Sequence, residues 1–398
     1  MQRRQILTLG ATLGLAAAQQ KPSDEVVASA TEDTTPRVSI VLSSFKEGAD
    51  HDGTVLKGLS EPKPPGADLT SAQIDAMALK AIELAATRQG DFASLVEAED
   101  WVVIKTHIPS CYGLTPETKD GGAHQAYIPG AVTDPRIVRA VISYLAGRKR
   151  GLRFTVVEGS AQWLPVEKSK SPADGWTTDW GGAFGGLGYK SMMDEFSRRY
   201  PGVRFEIADL NFAETVDLPV PGKALAGNNP SGAYTIPKII QQCDRLISIA
   251  PLKTDSVSGV SLSVKNYLGI APGSKYGFPK DGLFKLGSPD EVMIDLFSYH
   301  PADFALAGGC WGLEGDGPDG PGASSVHHNV VIAGARAISV DAVAAAVMGF
   351  NPAGLPLLAL GDRKGLGTSE LDAIWTRGND IDEARRNFRK PARWRPPA

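Results

Sequence analysis

The chain has 398 residues, 42% hydrophobic and 22% charged, which is ordinary globular usage. Its 41 basic and 45 acidic side chains leave a net charge of −4 with no basic stripe, so nucleic acid is not an expected partner. The length allows two or three domains, and the 44 glycines and 28 prolines, concentrated in the middle and late chain, predict long structured loops around a site.

Gln2, Arg3, Arg4 and Gln5 precede an apolar run to Ala18 that is too short to span a membrane. Paired arginines before a modest apolar run read as a twin-arginine signal, with cleavage after Ala18 or Ala30. A plain secretory signal or an uncleaved anchor fits the same residues. On the first reading, residues 1–30 are signal and leader. The twin-arginine translocase is then a transient partner, and the folded product is periplasmic or extracytoplasmic, with no later transmembrane segment. Residues 19–36 are polar and poor in aromatics, as in a disordered leader.

Residues 37–42 form the first strand pattern, and residues 46–69 a loop. Ile74, Met77, Ala81 and Leu84 recur at helical spacing over 70–89, with Thr70 or Ser71 as the cap. Residues 101–105 read as a buried strand, followed by a long loop over 106–133. Asp134 and Pro135 open a helix that continues through Ile137, Val138, Val141, Ile142 and Leu145. Residues 154–157 are the next strand, ending at Glu158, Gly159 and Ser160. A Trp- and Gly-rich loop then runs to Leu187.

A helix over 188–200, a strand over 203–207 and a strand over 246–250 come next. Residues 290–299 and 338–348 read as helices, 304–306 and 330–333 as short strands, and the tail after Arg385 as basic, Pro-rich and extended. The alternation predicts an α/β fold: a largely parallel or mixed sheet with helices on both faces and long Gly/Pro-rich loops. The α/β domain is expected over 37–384 with its core at 100–350, and 385–398 is the tail. In such sheets ligands bind outside the carboxyl ends of the strands. This directs attention to the loops after Lys105, Val157 and Ala250.

Val103 to Lys105, Thr133 to Pro135, and Val157 to Ser160 carry a resemblance to a known family. So do Leu246 to Asp255, Gly259 through Lys265 and Asn266 to Gly269, Glu314 to Pro318, and Ser339 to Val343. In this order they resemble the family called domain of unknown function 362. That pattern has a His where this chain has Asp255, and Asp-Gly where it has Gly308-Gly309. The segment from Leu246 to Pro272 and Gly273 is also similar in architecture to the core of nickel-pincer racemases, without the histidine they use in its corner. Some relatives in the first family carry a ferredoxin-like domain. Cys111, Cys243 and Cys310 are far apart, so the cysteine pattern supports neither an iron–sulfur cluster nor a disulfide framework. Cys243 reads as a buried thiol.

Lys253, Lys265 and Asn266 follow one strand end, where lysines can hold a carboxylate or phosphate. Lys105 and Glu314 complete the expected ligand-binding set. Glu158, Asp255 and Lys265 are the candidates for moving a proton. Glu314 and Asp316 lie in a turn-rich loop that would also suit a hard cation, although Gly-Asp-Gly-Pro is ordinary turn chemistry; the metal question stays open. Among six histidines, His107 is the best placed and His124 shares its loop, while His327 and His328 read as a loop before a strand. The run from Gly181 to Gly188 follows Trp180 rather than a strand, so it fails as a dinucleotide fingerprint. With Trp163 and Trp176 it fits a lid, or equally a large surface loop packed by its own aromatics. Lys280, in a Pro/Gly loop, reads as a solvated lysine. Cofactor and substrate are unknown. The expected function is an exported enzyme binding a small anionic or cofactor-like molecule, the alternative being a non-catalytic ligand-binding or accessory protein of the cell envelope.

The leader reading has a direct test. Replacing Arg3 and Arg4 by lysine is expected to abolish export through the twin-arginine machinery. Fractionation that finds export by that route undiminished would refute it.

Overall fold

Strand β1 (Arg37–Leu42) lies near one edge of a sheet whose other members come from the whole length of the chain. The computed structural model describes residues 35–50, 53–86, 91–109, 129–161, 180, 188–317 and 322–395. The leader, Cys111, His51, His124, Trp163, Trp176 and most of the Gly181–Gly188 run fall outside the described residues.

Two short strands, β2 (Gly48–Ala49) and β3 (Val55–Leu56), pair with each other. In the main sheet β4 (Trp101–Lys105), β5 (Arg153–Glu158) and β6 (Arg204–Asp209) follow, with β6 at one edge. A separate hairpin of β7 (Thr215–Pro219) and β8 (Ala233–Pro237) leads to β9 (Arg245–Ala250). The short β10 (Lys253–Asp255) and β11 (Gly259–Ser261) follow, then the long β12 (Phe304–Glu314), β13 (Ser324–Gly334) and β14 (Trp375–Gly378).

The order across the sheet is β14-β1-β13-β12-β9-β4-β5-β6, with β10 paired to β11 and β12. Along that path only β13 runs against its neighbours. The carboxyl ends of β4, β5 and β9 therefore lie on one side, as the alternating pattern predicted.

The inner strands β1, β4 and β9 are mostly apolar because both faces are covered. Val102 and Ile104 of β4 join one apolar cluster and Val103 the other. Helices Ser71–Leu84, Pro135–Gly147 and Tyr189–Arg199 cover the first face. Helices Pro289–Phe297, Ala337–Val347 and Pro356–Arg363 cover the second. Each fully buried Leu, Ile or Val in these layers contributes about 1.5–3 kcal/mol. The helix starts are where the sequence places them. Thr70 and Gln73 form a capping box, and Asp134 caps a helix with Pro135 in its first turn. Thr35 to Ala398 make one compact unit, and among the described residues no helix is long and apolar enough to cross a membrane.

Several expectations change. The strand expected over 304–306 continues to Glu314 through a bulge between Gly309 and Trp311. Gly308 and Gly309 there have φ of 124° and 142°, and a Cβ on Gly308 would lie 2.1 Å from Val330 O. Glycine pairs give no strand signal, which is why the sequence pattern stopped short. His327 and His328 lie within β13 rather than in a loop; His327 stacks on Trp311 across the bulged pair. The tail after Arg385 is packed down as far as residue 395. Phe388 and Trp394 are buried, and Trp394 lies against Gly259 in the β10–β11 hairpin. Cys243 and Cys310 are buried free thiols.

The β7–β8 hairpin is held from the second face by one carboxylate. Asp295 is fully buried and accepts from Leu225 N (2.8 Å), Ala226 N (3.1 Å), the Tyr234 hydroxyl (3.3 Å) and Lys364 Nζ (3.3 Å). Asp295→Ala leaves an ammonium and two amides unmatched and is expected to cost about 3–5 kcal/mol. Urea unfolding checks this through a lower midpoint at unchanged slope. A loss below about 1 kcal/mol would mean that the hairpin is held in some other way.

Candidate functional site

β4 and β5 pair in parallel register, Lys105 opposite Val157, so Lys105 and Glu158 emerge side by side at the strand ends. Both are buried. Lys105 Nζ donates to Glu158 Oε1 (2.8 Å), Asn266 Oδ1 (2.8 Å) and Thr106 O (2.5 Å). An ammonium has three donors, and all three are spent here. Glu158 also accepts from Gly159 N at Oε1 (2.7 Å) and from Ile108 N at Oε2 (2.5 Å). Asn266 Nδ2 donates to Lys105 O (3.0 Å) and to Ser248 Oγ of β9 (3.1 Å). Burial pushes the Lys105 ammonium below its ordinary value, and Glu158 pulls it back.

The turn Lys265–Ile270 that supplies Asn266 lies so close to this pair that a Cβ on Gly269 would sit 2.1 Å from Glu158 Oε1 and 2.5 Å from Lys105 Nζ. Glycine is required there for the approach alone.

A second ion pair lies beside the first. β10 begins with buried Lys253 and ends with Asp255, whose Oδ1 accepts from Val257 N and Ser258 N (both 2.9 Å) and from Lys265 Nζ. Burial alone would raise the Asp255 carboxyl, but Lys265 and the two N–H donors outweigh it and hold the group below its ordinary value.

His107, two residues past Lys105, faces Lys253, Lys105 and Lys265, with Asn266 alongside. Burial first, then these three ammonium groups, keep its imidazole well below the ordinary histidine value.

Two buried groups position these residues. Asp341 accepts from Ser263 N (2.9 Å) and Val264 N (2.8 Å), fixing the start of the turn that presents Lys265 and Asn266. Burial pushes its carboxyl up to about 7, against the pull of those bonds. Lys280 donates to Gly159 O (2.6 Å) and Leu268 O (3.3 Å), tying the β5 loop to the turn. Burial lowers its ammonium to about 7. Lys280 is therefore a buried strut, not the solvated lysine its Pro/Gly surroundings indicate.

Of the residues singled out by sequence, the fold brings together Lys105, Glu158, Lys253, Asp255, Lys265 and Asn266, with His107. Glu314 bonds elsewhere: it accepts from Ser324 Oγ (3.2 Å) and Arg389 N (3.0 Å), while Asp316 accepts from Ala392 N (2.6 Å). The Glu314–Asp316 loop thus clamps the C-terminal tail. Among the described residues no group of three or more His, Cys, Asp or Glu side chains is arranged to hold a metal ion. A cleft lined by Ser43, Lys63, Thr70 and Gln73 shares none of the site residues. Sequence reasoning missed Lys280 and the role of Asp341. Ser339 to Val343 carried part of the family resemblance, but nothing local to Asp341 reveals that its partners are residues 263 and 264.

Lys280→Met separates a strut from a solvated lysine. A lysine whose folded value is about 7 against an ordinary 10.5 leaves the folded state holding fewer protons than the unfolded state between those values. It therefore favours folding increasingly as pH rises from about 7 toward 10, by at most about 1.4 kcal/mol per pH unit. Wild-type stability minus that of Lys280→Met, from urea titrations, is expected to climb over this window. A flat difference would make Lys280 solvated after all.

The model of the family "Domain of unknown function (DUF362)" matches residues 102–346, and the chain belongs to that family. No curated protein matches the sequence. Among solved structures, the lactate racemase apoprotein from Thermoanaerobacterium thermosaccharolyticum is similar at 15% identity and a TM-score of 0.29, over 71% of this chain and 58% of that one.

Proposed function

We propose that this family member binds a small anionic or cofactor-like molecule where the loops after β4, β5 and β9 meet. The observation that carries the reading is a division of labour among the buried charges. Lys105, Glu158 and Asn266 spend their hydrogen-bonding groups on one another and on the backbone. Among the described residues Lys265 meets one carboxylate, that of Asp255, and it lies within electrostatic reach of His107, as Lys253 does. Ammonium groups in so desolvated a place favour a carboxylate or phosphate.

As an enzyme, the chain would hold and polarise its ligand through Lys253 and Lys265. The proton-moving role would fall to Asp255, because both oxygens of Glu158 are engaged in the frame. That engagement equally favours the second reading, a ligand-binding accessory protein that moves no proton. With the leader read as a twin-arginine signal, either activity belongs outside the cytoplasm.

Native mass spectrometry with elemental analysis of protein purified from an exporting host would identify a retained ligand or metal. Binding is then tested with oxalate and inorganic phosphate as probes. Lys265→Met is expected to weaken the bound probe well over tenfold, since truncating one member of a buried charge pair costs about 2–5 kcal/mol. Lys285→Ala, at an exposed position, should change binding less than twofold. The double variant Asp255→Asn with Lys265→Met removes both charges and guards against misreading a folding defect. Equal binding by the Lys265 and Lys285 variants would make the lysine cluster structural. Turnover of the retained ligand that is lost in Asp255→Asn while binding persists would decide for the enzyme over the accessory protein.

A further inference from the structure

The His107 backbone has a fixed place. Its backbone N–H donates to Thr133 Oγ1 (2.8 Å), its backbone C=O accepts from Thr133 N (2.9 Å), and Thr133 Oγ1 donates to Ile249 O of β9 (2.7 Å). The residue is thus pinned to the sheet and does not ride on a loop. The ring Nε2 is shut off from solvent and has no hydrogen-bond partner among the described residues. Native proteins satisfy nearly all buried polar atoms, and none of the described residues does so for this one, which leaves it open to a ligand oxygen. The groups facing the ring are Lys105 from β4, Lys253 from β10, and Lys265 and Asn266 from the turn after β11. Asn266 also acts on the ring; its Nδ2 donates to Lys105 O and Ser248 Oγ, and its Oδ1 accepts from Lys105 Nζ.

We propose that the site takes up a proton together with its anion, and that His107 Nε2 receives that proton. This deepens the anion-binding reading and rests on it. The cause is charge. Burial and three neighbouring ammonium groups oppose protonation of the ring. An anion seated between Lys265 and His107 offsets part of that repulsion, so the ring can protonate and donate an N–H to the anion's oxygen. The step balances simply: a hydronium ion of the solvent gives up a proton, its O–H bond breaking to leave water, one N–H bond forms on the imidazole, and nothing is oxidised or reduced. The ligand class is a small oxyanion with an oxygen for the ammonium and another for the imidazolium, a requirement met by both carboxylates and phosphates.

Histidine-ring NMR on the full chain tests this, with the His107 signal assigned by its loss in His107→Gln. In protein alone the ring is expected to be neutral at pH 6. Saturating oxalate or inorganic phosphate should raise its titration midpoint by at least about one pH unit, and whichever acts names the ligand class. Lys265→Met without anion should raise the midpoint by a smaller step. A ring already protonated at pH 7 in protein alone overturns the proposal. So does a midpoint that stays put while either anion shifts the Lys265 and Asn266 amide signals, an outcome that leaves anion binding standing. If formate, oxalate, sulfate and phosphate all leave those amides unmoved, the anion reading fails and takes this inference with it.

Discussion

The bond set around Lys105 Nζ is the constraint from which the rest of the site follows. Three acceptors from three places meet one ammonium: Glu158 at the end of β5, Asn266 in the turn after β11, and the carbonyl of Thr106. Through Asn266 and Ser248 the set reaches β9 as well. Burying an ion pair is costly, and the attraction repays that cost only when the remaining donors and acceptors are also matched. Here they are. Such a set tolerates one arrangement of its strands and one approach of the turn, which is why Gly269 has no room for a side chain.

The same device recurs around it. Asp341 holds the backbone of residues 263 and 264, Lys280 joins the Gly159 and Leu268 carbonyls, and Asp295 holds residues 225 and 226. Loops carry unpaired backbone groups that apolar packing cannot satisfy. Buried charged side chains satisfy them here, and each one fixes a segment to the sheet or to a covering helix. Glu314 and Asp316 do likewise for the C-terminal tail, which returns to place Trp394 against the hairpin that carries Asp255. Beside this frame, Lys265 pairs with Asp255, and Lys253 and Lys265 both act on the His107 ring.

Much of the fold was legible because periodicity reports burial. The helices from Ser71 and Pro135, the strands β1, β4, β5 and β9, and the shared side of their ends all follow from local pattern and capping. What escaped were features that glycine or polarity conceals. The second half of β12 passes through Gly308, Gly309 and Gly312, and β10 reads Lys-Thr-Asp, which looks like a loop because its stabilisation comes from β11 and β12. Lys280 was misread for a related reason: Pro and Gly around it signal a loop, and a loop residue is usually solvated.

By itself the sequence determined the α/β class, the family through its ordered motifs, and the strand ends at which charged residues collect, because each depends on neighbours within a few positions. The tertiary structure alone decided which of those charges face one another. Lys105 meets an asparagine 161 positions away, and Glu314 turns toward Arg389 75 positions on. Hydrogen-bond saturation is a property of space rather than of order along the chain. A lysine with three acceptors and a lysine with one are the same letter until the fold counts their partners.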